Sequence, residues 1–101
     1  MAAVEIGRRR HDAHAARRPL LVHYAAAWCG PCKVANGLVR SFCASRGDAA
    51  PEVMDIDVDR CVHDVGVNSV PTFHLYRPRT VGHLTHVGVE GLQAWLLSHA
   101  V

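Results

Sequence analysis

Two cysteines separated only by Gly30 and Pro31, in the stretch HYAAAWCGPCKVANG from His23 to Gly37, lie between a short apolar run and an amphipathic repeat, and few folds accommodate that arrangement. Leu20 to Ala25 is apolar without surface alternation, the pattern of a strand buried on both faces. Beyond the cysteines, Ala35, Leu38, Val39 and Phe42 recur at i, i+3, i+4 and i+7, which predicts a helix that packs one stripe on a sheet. A strand entering a helix through a Cys-X-X-Cys turn sets the first sulfur where unpaired backbone N–H groups and the helix dipole gather partial positive charge. A thiolate at Cys29 is stabilised there, so Cys29 is expected to attack. Cys32, about one helical turn on and expected to be less exposed, can then break a mixed disulfide from within. Pro31 near the helix start removes only an N–H that has no partner, and Gly30 leaves room for a substrate backbone.

The competing reading is half of a zinc site, which needs four ligands; Cys61 and His63 are the only candidates for a second pair. A proline inside the knuckle and the attached amphipathic helix argue against it, and a lone Cys-X-X-Cys in a βαβ context favours redox chemistry. No metal and no other cofactor is expected.

The rest of the chain alternates elements. A weak extended start over Ala3–Ile6 leads to a short polar helix from about Arg9 to Arg17, stopped by Pro19. Val53–Val58 reads as a strand with Met54, Ile56 and Val58 on one face and Val53, Asp55 and Asp57 on the other. A short irregular or helical piece follows from Asp59 to Gly66. Thr72–Tyr76 is a strand, Arg77–Gly82 a hairpin turn, and Leu84–Val87 pairs back. Val89, Leu92 and Leu96 mark a last helix. The order β α β α β α β β α predicts one α/β domain over residues 1–101, a mixed sheet with helices on both faces.

Charge excludes one class of partner. Of eleven basic residues, Arg8, Arg9, Arg10, Arg17 and Arg18 lie in the first eighteen positions, leaving six basic and seven acidic residues for the remainder. A nucleic-acid protein spreads a basic face over its fold and interleaves aromatic groups, and this chain does neither. The arginine run reads as a solvated helix face. No apolar stretch approaches the roughly 20 residues of a membrane span. An Arg- and Ala-rich start also resembles an organelle targeting segment, but its removal would take away the first elements of the fold, so a cytoplasmic, reducing setting is expected.

AAAWCGPCKV, IDVDR, SVPTFHLY and GHLTHVGVEGLQAWL together resemble the thioredoxin family over about Leu20 to Leu97. Thioredoxin is itself a standing example of a Cys-X-X-Cys thiol with lowered pKa, so that property comes with the resemblance and is no independent result. The resemblance implies the thioredoxin fold with an abbreviated N-terminal strand and helix, and a monomeric protein-disulfide reductase. Its implied partners are disulfide-containing client proteins and a thioredoxin reductase drawing on NADPH. It implies Cys29 as nucleophile, Cys32 as resolving thiol, and the two as the redox disulfide. Trp28 corresponds to the indole beside the site. Val70 and Pro71, with Thr72, correspond to a cis-proline turn whose Val70 backbone pairs with an extended substrate. Gly88 corresponds to a small residue at the groove floor, although a hairpin-to-helix turn explains it nearly as well.

The departures are specific. Where the family carries a buried aspartate six residues before the first cysteine, this chain has His23, either a satisfied core residue or an acid/base group in its own right. The facing position on the neighbouring strand, often lysine in the family, is Asp55, or Val53 if the register shifts by two. A His23–Asp55 pair would reverse the usual polarity while keeping a proton relay beside Cys32. Gly37 replaces a helix-kinking proline, and the segment from Asp59 to Pro71 is a few residues short. Cys43 is expected to be buried and Cys61 exposed; His63, His74, His83, His86 and His99 read as surface residues. Two further functions compete with the reductase: a docking subunit with incidental thiols, and a member specialised for another donor such as glutathione.

Overall fold

The computed structural model describes residues 2–60 and 67–100. Helix α1 (Ala2–Ala15) leads to strand β1 (Leu20–Ala25), helix α2 (Gly30–Arg46), a single 3₁₀ turn (Gly47–Ala49), strands β2 (Glu52–Asp57), β3 (Thr72–Tyr76) and β4 (Leu84–Val87), and helix α3 (Leu92–His99). The sheet order is β2-β1-β3-β4, with β1 parallel to β2 and both other pairs antiparallel. Successive residues of β1 point to opposite faces, which builds two core layers. On one face Leu21, Phe73 and Leu75 meet Ala35, Val39 and Phe42 of α2 and Leu92 and Leu96 of α3. On the other Leu20, Val22, Tyr24, Met54 and Ile56 meet Ala13 of α1. Both faces of β1 are sealed, hence its unbroken apolar run.

The N-terminus corrects the expectation. Ala3–Ile6, read as extended, is the first part of a 14-residue helix. Only Val4 and Ile6 favour a strand there, whereas the alanines favour a helix, and Glu5 sits in the first turn where it complements the dipole and faces Arg8 at 4.0 Å. Ile6 and Ala13 fall on the stripe that packs on the sheet. The helix ends before Pro19 with Arg17 in the left-handed region (φ 56°), while the Arg17 N–H donates to His14 O and the Arg18 N–H to Ala13 O, the Schellman pattern without its usual glycine.

The arginine run is not simply solvated. Arg8 is, but Arg9 donates to Val53 O at 3.1 Å and lies 3.6 Å from Glu52, and the Arg10 guanidinium sits 4.3 Å over the Tyr76 ring. Arg18 donates twice to Ala50 O, at 2.8 and 2.9 Å, and once to Glu52 at 3.1 Å. These arginines fasten α1 to the start of β2. Because the Glu52 N–H donates to Pro19 O and the Val58 N–H to Ala25 O, alternate residues of β2 aim at β1 and the others at the sheet edge, where Arg9 takes the Val53 carbonyl.

His74 overturns another expectation: it is buried, stacked on the exposed His83 at 3.9 Å and edge-on to Tyr24 at 4.9 Å. His86 and His99 are half-buried around Trp95. Cys43 is half-buried, and burial raises its thiol pKa. Cys61, His63 and most of the Asp59–Gly66 piece lie outside the described residues; Val58–Arg60 form a turn.

Candidate active site

Strand β1 ends at Ala25, and the turn through Ala27 and Trp28 delivers Cys29 to the N-cap of α2, a 17-residue helix with Pro31 in its first turn. Cys29 and Cys32 are joined as a disulfide. The Cys32 N–H donates to Cys29 Sγ at 3.1 Å, so the sulfur occupies the place of a capping oxygen and receives one of the N–H groups a helix start leaves free. The site holds the charge-stabilising device the spacing predicts. A Cβ placed on Gly30 meets nothing within 4 Å, leaving the approach to the pair open.

The expected contrast in exposure is not found: in the oxidised pair both cysteines are 4% exposed. They differ in what surrounds them. The pair packs with Ala26 against Val58 and Val70. Cys32 also forms part of a cleft of about 320 Å³ with His23, Lys33, Asn36, Arg40, Asp55 and Asp57.

On one side of the pair, the Val70–Pro71 peptide bond is cis, as the resemblance implies. Thr72 is buried and its Oγ1–H donates to Ser69 O at 2.6 Å, so its side chain braces the turn and does not face the groove. The Gly88 N–H donates to Pro71 O at 2.9 Å, tying β4 to the same turn. A Cβ at Gly88 meets nothing within 4 Å, but its φ of +85° is a conformation side chains rarely adopt, so backbone geometry rather than space calls for glycine. Trp28 is 71% exposed beside this turn, and its Nε1–H donates to Asp59 Oδ2 at 2.8 Å. Trp28, Asp59, Asn68, Ser69 and Val70 share a groove of about 270 Å³. Asp59 was missed in the sequence; its one signal was its place as the third acid of the alternating run Asp55–Asp59.

On the opposite side, the register pairs His23 with Asp55 of β2 and Phe73 of β3. Asp55, not Val53, is therefore the facing residue. His23 is 3% exposed, its ring stacked on Phe73 at 4.5 Å between centroids, with Nδ1 3.3 Å from Asp55 Oδ1. The hydrogen bond from His23 is the main cause that holds the Asp55 carboxyl below the ordinary carboxylate range; partial burial opposes it, and the Arg40 charge adds to the lowering. Gly37, one turn beyond Lys33 on α2, is exposed with open space around it.

The comparisons with known proteins agree with this geometry. The thioredoxin family model matches residues 4–96. Thioredoxin of Mus musculus is 31% identical over 85 residues, spanning 80% of this chain and 79% of its own length. Among solved structures, thioredoxin h of Nicotiana alata superposes with a TM-score of 0.75 at 25% identity, covering 96% of this chain and 86% of that one. Oxidised thioredoxin O2 of Arabidopsis thaliana superposes with a TM-score of 0.76 at 21% identity, covering 97% and 89%, and speaks for the fold alone.

Proposed function

The chain belongs to the thioredoxin family, and from that premise we propose that it is an electron carrier that reduces disulfides in client proteins by cycling Cys29 and Cys32 between dithiol and disulfide. Thiol–disulfide oxidoreductase activity itself comes with the family and the Cys-X-X-Cys pair. The observation that carries the assignment of roles is the Cys32 N–H aimed at Cys29 Sγ from the first turn of α2.

An extended client segment lies along the Val70 backbone by strand addition, between Trp28 and the Gly88 corner. Cys29 thiolate attacks one client sulfur, forming a mixed disulfide and releasing the other client sulfur as thiolate. Cys32, having given up its proton, attacks Cys29 Sγ; the Cys29–Cys32 bond forms and the second client thiolate leaves. Two electrons pass to the client, and each client thiolate takes up a proton. Gly30 and Pro31 keep the approach open, Thr72 braces the turn, and Trp28, held by Asp59, walls the groove. A thioredoxin reductase returns the pair to the dithiol, a step that rests on the family.

We read the chain as one domain and a monomer; supporting a single domain, α1 shares a core with β1 and β2. Among the described residues no helix is long and apolar enough to cross a membrane. The cytoplasm is the compartment this reading favours, because a reductant works where thiols are kept reduced.

Insulin reduction by dithiothreitol tests the function. Wild type accelerates it, and Cys29→Ser returns it to the uncatalysed rate. A wild type no faster than Cys29→Ser would make the fold a docking subunit instead.

A further inference from the structure

At the end of the sheet away from the cysteines lies an open hollow that disulfide exchange does not use. It measures about 310 Å³ and sits between α1 and the turn Arg77–Thr80 that leaves β3. Arg10, His11, His14 and Arg18 border it from the α1 side and Arg77 from the turn, and no carboxylate is among the described residues that line it. A second hollow of about 620 Å³ shares Arg18, Arg77, Pro78 and Thr80 with the first and adds Arg17; Asp48 is the one acid among the described residues lining the two. Leu20, on the wall of the first hollow, opens β1, and the disulfide follows the other end of that strand. The strand is six residues long, so at about 3.3 Å per residue its ends stand roughly 16 Å apart.

The fold neutralises these charges only in part. Arg18 is occupied, since it donates to Ala50 O and pairs with Glu52 at 3.1 Å. Arg10 and Arg77 have no ion-pair partner among the described residues. The Arg10 guanidinium lies 4.3 Å over the Tyr76 ring, a contact that engages the face of the planar group and leaves its in-plane N–H groups for an acceptor. Arg10 is thereby held before any ligand arrives, which lowers the ordering cost of binding. The turn carrying Arg77 is pinned as well, with Thr80 Oγ1–H donating to Arg77 O at 2.8 Å. Gly7 completes the shape. It stands inside α1, where glycine weakens a helix relative to alanine, yet a Cβ there meets nothing within 4 Å, so packing does not require it. What its missing side chain leaves is open space on the wall of the hollow.

We propose that this hollow binds a compact phosphorylated small molecule with at least two neighbouring phosphate groups, held between the Arg10 and Arg77 guanidinium groups. A guanidinium fork meets phosphate oxygens bidentately, and two forks from different elements match two phosphates better than one. His11 and His14 add ring N–H donors, while Ala13, Leu20 and Pro78 give an apolar wall for the rest of the ligand. Small-molecule pockets start at about 300 Å³, so the hollow is large enough for such a ligand and too large for one phosphate to fill. An extended nucleic acid needs a basic stripe along the fold, and the excess of acids over bases beyond position 18 gives none. The site is independent of the reductase reading and stands apart from it.

Isothermal titration calorimetry of the full chain with pyrophosphate, and separately with ADP, tests the proposal. Wild type should bind each at one site with a Kd of roughly 1 mM or tighter in about 50 mM salt, and more weakly in about 200 mM salt, where surface charges are screened. Arg77→Gln removes no ion pair of the described residues and should weaken both by about tenfold or more. Gly7→Leu favours the helix while filling the hollow, and should weaken both at least as much. Arg60→Gln, an exposed arginine outside the hollow, should change neither; a loss equal to that in Arg77→Gln overturns the site as unspecific charge attraction. No saturable binding of either probe to wild type also overturns it, as does a poly-glutamate peptide that binds where they do not. Amide nuclear magnetic resonance gives the location without any variant: shifts caused by pyrophosphate should centre on Gly7, His11, Arg77 and Thr80. Shifts centred on Trp28 and Cys29 instead overturn the proposal.

Discussion

At the scale of single residues, the site depends on who donates to whom. Trp28 is exposed, so one hydrogen bond to Asp59 does most to fix its indole beside the cysteines. An exposed bond of this kind is worth about 1 kcal/mol. Asp59→Ala should therefore slow client reduction up to about fivefold while lowering the thermal midpoint by no more than roughly 4 °C; a larger fall in the midpoint with an unchanged rate would mean that Asp59 supports the fold instead. Asp55 carries a pH signature of definite sign. Its folded pKa is lowered, so its contribution to stability is complete above the unfolded value of about 3.9 and is lost as pH falls through the lower folded value. The stability gap between wild type and Asp55→Asn, measured in urea, should be largest near neutrality and close toward about pH 2. A gap that stays constant across that range contradicts the hydrogen-bonded pair.

At the scale of elements, legibility followed the physics of burial. β1, β3 and β4 have the bounds the apolar runs predict, and α2 buries Ala35, Val39 and Phe42 from its predicted stripe, because a periodic apolar pattern has one energetically sensible use. Phe42→Ala should cost about 3–5 kcal/mol by equilibrium denaturation, as loss of a core aromatic does. The first part of α1 reads as extended in the sequence because Val4 and Ile6 favour a strand, a weak signal in an alanine-rich stretch that packing overrides. His74 reads as a surface residue in the sequence because a polar side chain in a strand gives no hint of the ring stack that covers it. Asp59 is invisible as a site residue until the turn after β2 brings it to the indole. The α1 terminus gives a further test. Arg17 adopts a left-handed conformation that costs a side-chain-bearing residue about 1–2 kcal/mol, so Arg17→Gly should stabilise the protein by roughly 0.5–1 kcal/mol after glycine's greater unfolded-state freedom is counted. Destabilisation would show that the Arg17 side chain contributes more than its backbone loses.

At the scale of the whole molecule, two packed layers put the cysteine pair at the C-terminal end of β1 with a different surface on either side. One side is the groove of Trp28, Asp59 and Val70; the other is the cleft of His23, Asp55 and Arg40. The motif residues disclosed the first side in advance. The second could be anticipated only as a pairing of His23 with Asp55 or Val53, because strand register is a property of the assembled sheet. The central claim is that the pair is a reductant, and the reduction potential of the Cys29–Cys32 couple, measured against a glutathione buffer, tests it most directly. The account predicts a potential in the reducing range, near about −270 mV and no higher than about −230 mV. A value above about −180 mV, among oxidants and isomerases, would contradict it.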